Sequence, residues 1–122
     1  REIKMNEVRF EEVMCEDADY LIVGFGISAR IGQKAAEMAR AEGLKVGLLR
    51  PITLFPFPVD ELKRLAEQVK GVLVVELSAG QMVDDVRLAI NGKIPVEFYG
   101  RMGGIVPSPD EVLNALKEKI VN

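Results

Sequence analysis

Unbroken runs of apolar residues constrain the fold of this chain more than any other feature of its sequence. The segments Tyr20–Phe25 (YLIVGF) and Val72–Val75 (VLVV) show no alternation of polar and apolar residues. Such runs are typical of strands that are buried on both faces, as in a parallel sheet. We therefore expect helices to cover both faces of a central sheet.

Segments with helical periodicity separate the apolar runs. Ser28 is the predicted N-cap of the first helix and Gly43 its C′ residue. The second helix is predicted by the spacing of Leu62, Leu65, Ala66 and Val69. Ser108–Glu111 is a capping box that begins the last helix. The 122 residues thus predict a single α/β domain, a three-layer α/β/α sandwich around a mostly parallel sheet of about five strands.

The first part of the chain is ambiguous, and we divide it into a lead-in, residues 1–17, and a core, residues 18–122. Ile3, Phe10 and Met14 fit one face of a helix, whereas Val8, Phe10 and Val13 fit an extended edge strand. We expect a helix, with the edge strand as the alternative.

Any functional surface should lie at the carboxyl ends of the strands, because ligands and partners meet open α/β sheets at that edge. The turns that leave the strands are long and rich in Gly and Pro, whereas those that enter them are short. Four segments are predicted to form the surface: residues 24–28, 50–58, 76–81 and 99–107.

Composition restricts the chemistry of the chain. It contains no His and one cysteine, Cys15, so it lacks the commonest general base and cannot hold an iron–sulfur cluster alone. The net charge of −3 argues against nucleic acid and anionic membranes as partners. No membrane-length apolar run occurs. We expect a cytoplasmic protein and, because it begins with Arg1, a fragment of a larger subunit.

The turn after the first apolar run suggests a nucleotide-binding alternative. Gly24-x-Gly26-x-x-Ala29 matches the dinucleotide fingerprint, in which glycines allow the backbone to approach a pyrophosphate. An acidic residue normally follows the second strand, but Arg50 stands there and would at best favour a 2′-phosphate, as in NADP. We favour the simpler interpretation, a tight strand-to-helix turn that requires glycine for a positive φ.

Charged side chains at the predicted edge have two interpretations each. Glu76 can orient a ligand or partner, or it can cap its own turn. Arg50 and Arg101, with the amides of Gly103 and Gly104, can form an anion site, but we favour ordinary surface positions for them. Cys15 is expected to be a small packed apolar residue.

The loop Phe55-Pro56-Phe57-Pro58 is an apolar candidate for a contact surface. Two Phe side chains in a loop stiffened by proline are costly to leave in water. They predict a subunit or domain interface, with packing onto the domain's own core as the alternative.

Four segments together closely resemble the alpha subunit of 2-oxoacid:ferredoxin oxidoreductases, in its 2-oxoisovalerate and 2-oxoglutarate branches. They are residues 18–26, 45–58, 74–82 and 96–104, and they include the run Arg-Pro-x-Thr-x-x-Pro-Phe-Pro from Arg50 to Pro58 and the pair Glu76…Gly80-Gln81. Ser78 departs from the pattern, which has Asn at that position.

The resemblance implies a fold like the transketolase C-terminal domain and a parent enzyme that oxidatively decarboxylates a 2-oxoacid, forms an acyl-CoA and reduces ferredoxin. It implies that this domain binds no cofactor, while thiamine diphosphate, magnesium, iron–sulfur clusters and CoA bind elsewhere. The implied partners are the N-terminal domain of the same subunit, the thiamine-binding beta subunit, the iron–sulfur subunit and, through the complex, ferredoxin. No catalytic residue is carried over. The candidate interface residues are Arg50, Phe55, Pro56, Phe57, Glu76, Gln81 and Arg101.

Overall fold

A five-stranded sheet organises the chain in the computed structural model, which describes residues 10–51, 59–76, 81–100 and 107–121. The strands are β1 (Phe10–Val13), β2 (Tyr20–Gly24), β3 (Val46–Pro51), β4 (Gly71–Glu76) and β5 (Val96–Gly100). Their order across the sheet is β1-β3-β2-β4-β5. All neighbouring strands are parallel except β1, which pairs antiparallel with β3. The predicted mostly parallel sheet is confirmed.

Strand β1 corrects the prediction of a helix near the start of the chain. Phe10–Val13 is extended and pairs with β3, in the register Phe10↔Pro51 to Val13↔Leu48. The helical expectation is wrong for these four residues, and the edge-strand alternative is right. The outer edge of β3 supplies ladder hydrogen bonds, and alternation sends Phe10 and Val13 to opposite faces of the sheet.

Helices cover both faces of the sheet, which confirms the three-layer architecture. They are α1 (Ile27–Ala41), α2 (Val59–Ala66), α3 (Gln81–Ile90) and α4 (Pro109–Leu116), the last followed by a π-helical segment, Lys117–Val121. Helices α1 and α4 pack together on one face, and α2 and α3 pack together on the other. Alternate residues of each central strand pack into the hydrophobic cores on the two faces of the sheet. Leu21 and Val23 face α2 and α3, whereas Ile22 faces α1.

Two of the predicted helix ends are confirmed and one is not. Ser108 Oγ accepts a hydrogen bond from the Glu111 N–H, and the Glu111 carboxylate accepts one from the Ser108 N–H, so the capping box forms. Gly43 follows α1 with a φ of 92°, as the C′ position requires. Ser28 is not an N-cap. The positive φ of Gly26, 64°, lets α1 begin at Ile27, so Ser28 is already inside the helix and buried.

The connection between β1 and β2 is held from both faces of the sheet, by α1 on one face and by the turn after α2 on the other. From α1, Arg40 donates to the Met14 carbonyl at 2.6 Å and to the Asp17 carboxylate at 2.7 Å. From the other face, the Gln68 amide donates to the Cys15 carbonyl at 2.8 Å and to the Ala18 carbonyl at 3.1 Å. These contacts give the amino edge of the sheet a structural role. We therefore expect binding surfaces at the opposite edge.

Candidate functional site at the carboxyl edge of the sheet

The carboxyl ends of the four parallel strands define one edge of the sheet. Strand β2 is flanked by β3 and β4, and the chain leaves β2 through α1 on one face and β3 through α2 on the other. A crevice forms outside the sheet where the direction of winding reverses, here between β2 and β4. Gly24, at the end of β2, lies beside Val75 and one residue from Glu76 in that register.

The turn between β2 and α1 is close-packed at Gly24 and apolar on its outer side. A Cβ atom at Gly24 would lie 3.0 Å from the backbone N of Ala29, so only glycine fits there without displacing the helix. Phe25 and Ile27, on either side of Gly26, are 41 % and 52 % exposed. Gly24 thus has a packing role, whereas Gly26 supplies the positive φ of the turn, as the simple-turn interpretation requires.

Glu76 is the buried charged residue of this edge. It ends β4 and is 8 % exposed. Its Oε2 atom accepts a hydrogen bond of 3.1 Å from the backbone N–H of Val83, in the first turn of α3. A carboxylate in this position accepts a hydrogen bond from a helix N–H group and interacts favourably with the positive end of the helix dipole. The structure therefore supports a local capping role, and contact with a partner stays a prediction.

Arg50 lies on the β1 side of the edge. Its Nη1 atom is 3.4 Å from Glu11 Oε1, across the register pair Glu11↔Arg50. Both side chains are partly exposed, so the pair contributes little to stability. This surface ion pair agrees with the favoured interpretation of Arg50 as an ordinary surface residue.

The remaining predicted site residues cannot be compared with the structure in the same way. Phe55, Pro56, Phe57 and Arg101 lie outside the described residues. Gln81 begins α3, and its side chain lies outside the described part. The structure thus brings the backbones of Arg50, Glu76 and Gln81 to one edge, and their contribution to an interface remains a prediction.

Exposed apolar side chains at this edge are the feature that the sequence interpretation missed. Phe25, Ile27 and Val59, which is 37 % exposed, lie at the carboxyl end of β2 and the start of α2. The sequence shows apolar residues on both sides of Gly26, but whether they are exposed depends on how α1 packs. Exposed apolar side chains at this edge are candidates for a contact surface.

Titratable groups in the described part of the chain show no acid–base constellation. No three His, Cys, Asp or Glu side chains among those residues come close enough together to hold a metal ion. Cys15 is buried and donates to the Leu48 carbonyl at 3.2 Å. Burial raises the pKa of its thiol to about 11, so the thiol is a poor nucleophile and cluster ligand. None of the described helices is long and apolar enough to cross a membrane.

Comparison with solved structures shows what the fold resembles. The chain superposes on 2-oxoglutarate:ferredoxin oxidoreductase from Magnetococcus marinus, solved with 2-oxoglutarate, coenzyme A and succinyl-CoA bound, with a TM-score of 0.77 and 31 % identity over 91 % of this chain and 19 % of that one. A split-gene transketolase, an inactive beta4 tetramer, gives a TM-score of 0.79 at 22 % identity, over 93 % of this chain and 41 % of that one. The latter likeness concerns the fold alone and confirms the transketolase-like architecture.

Sequence comparison agrees with the structural one. Ketoisovalerate oxidoreductase subunit VorB of Methanothermobacter thermautotrophicus is 48 % identical over 95 % of this chain and 33 % of its own length. The chain therefore spans about a third of the length of that relative. The family model of the pyruvate:ferredoxin oxidoreductase core domain II matches residues 18–112. With that match covering most of the helices and strands described above, the chain belongs to the family of pyruvate:ferredoxin oxidoreductase core domains II.

Proposed function

We propose that this chain is the C-terminal structural and assembly domain of the alpha subunit of a thiamine-dependent 2-oxoacid:ferredoxin oxidoreductase. The observation that carries the proposal is the family match over residues 18–112. The lead-in of residues 1–17 would then join this core to the N-terminal domain of the same subunit. The parent enzyme would decarboxylate a 2-oxoacid, transfer the acyl group to CoA and reduce ferredoxin in the cytoplasm.

The residues of this chain indicate where in that enzyme the iron–sulfur clusters bind. Iron–sulfur clusters require several thiolates, and the one cysteine here is buried with a raised pKa. We therefore assign the clusters to other domains or subunits. We assign thiamine diphosphate, magnesium and the CoA chemistry there too, because the family resemblance implies it. The exposed apolar side chains at the carboxyl edge, with the Phe55–Pro58 loop, would contribute to contacts with the N-terminal domain and with the beta and iron–sulfur subunits.

The proposal is tested with the complete alpha subunit, co-expressed with the beta and iron–sulfur subunits. The complex should reduce ferredoxin only when a 2-oxoacid and CoA are both present, and 2-oxoisovalerate and 2-oxoglutarate are the substrates to compare first. The isolated 122-residue chain should show no turnover. Turnover by the isolated chain, or a complex without such activity, would contradict the proposal.

The assembly role is tested with a pair of variants, each of which replaces apolar side chains with Ser. Phe55→Ser together with Phe57→Ser should lower the yield of assembled complex. Leu88→Ser is the control, because Leu88 is 78 % exposed on α3, towards the end of that helix away from the carboxyl edge. Equal yields from both variants and the unchanged protein would count against an interface at the Phe55–Pro58 loop.

A further inference from the structure

Strand β1 is held weakly compared with the rest of the sheet. One of its side chains, Glu11, is exposed and the other three are only partly buried, whereas every residue of β3 except Arg50 is buried. Glu11 pairs with Arg50, and Glu12 pairs with Arg64. All four of these side chains are exposed at least in part, so the two ion pairs contribute little to stability. An element with so few buried contacts can open locally without global unfolding.

The segment that follows β1 is held firmly, and we refer to it, residues 14–19, as the anchor. Met14 has a positive φ of 56°, which a residue with a side chain keeps only while its surroundings hold it. Arg40 donates to the Met14 carbonyl at 2.6 Å from one face of the sheet. The Gln68 amide donates to the Cys15 carbonyl at 2.8 Å from the other. Strand β1 therefore ends at a fixed point.

The anchor also lies directly on β3. A Cβ atom at Gly47 would lie 2.9 Å from the Met14 carbonyl oxygen and 3.0 Å from Cys15 Cα, so glycine is required for this close approach. The Cys15 thiol donates to the Leu48 carbonyl at 3.2 Å. Because these contacts begin at Met14, an opening of β1 should stop there and should not spread along the chain.

We infer that β1 is a releasable strap on the edge of the sheet. Residues 10–13 detach from β3 as a unit and dock again, with Met14 as the hinge, while the anchor and both hydrophobic cores stay folded. The docked strap closes the edge of β3, and its release opens the backbone N–H and C=O groups on that edge to pairing with another chain. The inference does not depend on the proposed function, since it concerns this chain alone.

Release of the strap is tested by amide hydrogen exchange of the 122-residue chain, followed residue by residue by NMR. Strand β3 lies between β1 and β2, and its N–H groups point alternately to the two neighbours. The N–H groups that face β1 should exchange at least about a hundredfold faster than those that face β2. Within the anchor, the Asp19 N–H donates to the Lys45 carbonyl at 2.7 Å and should be protected like the β2-facing groups.

A disulfide between β1 and β3 locks the strap. Glu11 and Arg50 lie directly opposite each other in the register. Cα atoms of opposite residues in an antiparallel pair are about 4.5–5.5 Å apart, which a disulfide can span. In the oxidised Glu11→Cys, Arg50→Cys variant, exchange of the β1-facing groups of β3 should slow by at least about tenfold. The reduced form of the same variant is the matched control and should exchange fast.

Deletion of residues 1–13 leaves the edge of β3 open permanently. The buried residues of both hydrophobic cores come from Cys15 onwards, and Phe10 and Val13 only pack against them. The shortened chain should therefore keep its helical circular dichroism and unfold cooperatively. In analytical ultracentrifugation it should form dimers through paired β3 edges as its concentration rises, whereas the locked chain should stay monomeric at the same concentrations.

Each of these measurements can overturn the inference. Equal exchange on the two sides of β3, or exchange that the disulfide does not slow, would show that β1 does not open separately. A shortened chain that fails to fold would show that β1 belongs to the core. A shortened chain that folds and stays monomeric would show that β1 does not close the edge. The measurements require no enzyme activity, so a negative result would leave the proposed function standing.

Discussion

Gly32, on the inner side of α1, determines how closely that helix approaches the sheet. A Cβ atom at Gly32 would lie 2.9 Å from Ile22 Cγ2 and 3.2 Å from Leu48 Cδ1. Ordinary van der Waals contact begins at 3.4 Å, so α1 and β2 would have to move apart by about 0.5 Å. The Leu48 methyl can rotate away, whereas Ile22 Cγ2 is attached directly to the branched Cβ atom and is stiff.

Two opposing effects decide the outcome of Gly32→Ala. Alanine favours a helix over glycine by about 0.8–1 kcal/mol, while overpacking a dense core costs about 1–3 kcal/mol. Because the obstructing methyl is stiff and Ile22 is fully buried, we take the overpacking cost at about 2 kcal/mol. Gly32→Ala should therefore lower the free energy of unfolding by about 1 kcal/mol.

The same substitution should stabilise a variant that lacks the obstructing methyl. Ile22→Ala alone should cost about 2–5 kcal/mol, but in that background Gly32→Ala should recover about 1 kcal/mol through helix propensity. Urea unfolding of all four combinations, followed by far-UV circular dichroism, gives the coupling free energy. A stabilising Gly32→Ala in the unchanged protein, or the same change in both backgrounds to within about 0.5 kcal/mol, would refute the reasoning.

Three further predictions concern titratable side chains. Burial raises the pKa of Cys15 from its usual 9.0 to about 11, so iodoacetamide should label this thiol only in urea; rapid labelling of the folded chain would contradict this. The contribution of the protonated Cys15 thiol to stability should be present below pH 9.0 and should decline as the pH rises towards about 11. The hydrogen bond from Arg40 lowers the pKa of Asp17 below 3.8. Arg40→Ala should raise that pKa towards 3.8 in an NMR titration, and because the folded pKa is depressed, the stabilising contribution of Asp17, present at neutral pH, should be lost as the pH falls through it; an unchanged pKa would be the contrary result. Glu76→Ala should lower the free energy of unfolding by about 1–2 kcal/mol, because the Val83 N–H loses its acceptor. Glu76→Gln keeps an acceptor and should lower the free energy of unfolding by less. Equal losses of stability in the two variants would exclude capping as the cause.

Local sequence determines much of the sheet and several helix ends, and these features were predictable. The apolar runs of β2 and β4 are buried on both faces of the sheet, as their lack of alternation predicts. The Ser108 capping box forms because all its hydrogen bonds lie within four residues. Strand β1 was not predictable in the same way, since four residues become a strand here only through pairing with the free edge of β3.

The candidate site depends more on tertiary contacts, and less of it could be predicted. The carboxyl edge followed from alternating strands and helices, and Glu76 was correctly located at a strand end. The partner of Arg50, however, is Glu11, 39 residues away in sequence, and local patterns carry no information about such a pair. The exposure of Phe25 and Ile27 likewise depends on the packing of α1, which the residues of the turn do not encode.

The two helical layers differ in how far apart their members lie along the chain, and this affects the order in which they form. Along the chain, β4 is the one strand between α2 and α3, whereas β3, α2, β4, α3 and β5 all lie between α1 and its partner α4. Contacts between distant segments form late because loop closure is entropically costly. During synthesis, the α2–α3 layer is therefore expected to assemble first. The inner side of α1, largely the small residues Ala35, Ala36 and Ala39, exposes little apolar surface to chaperones or neighbouring chains until α4 leaves the ribosome.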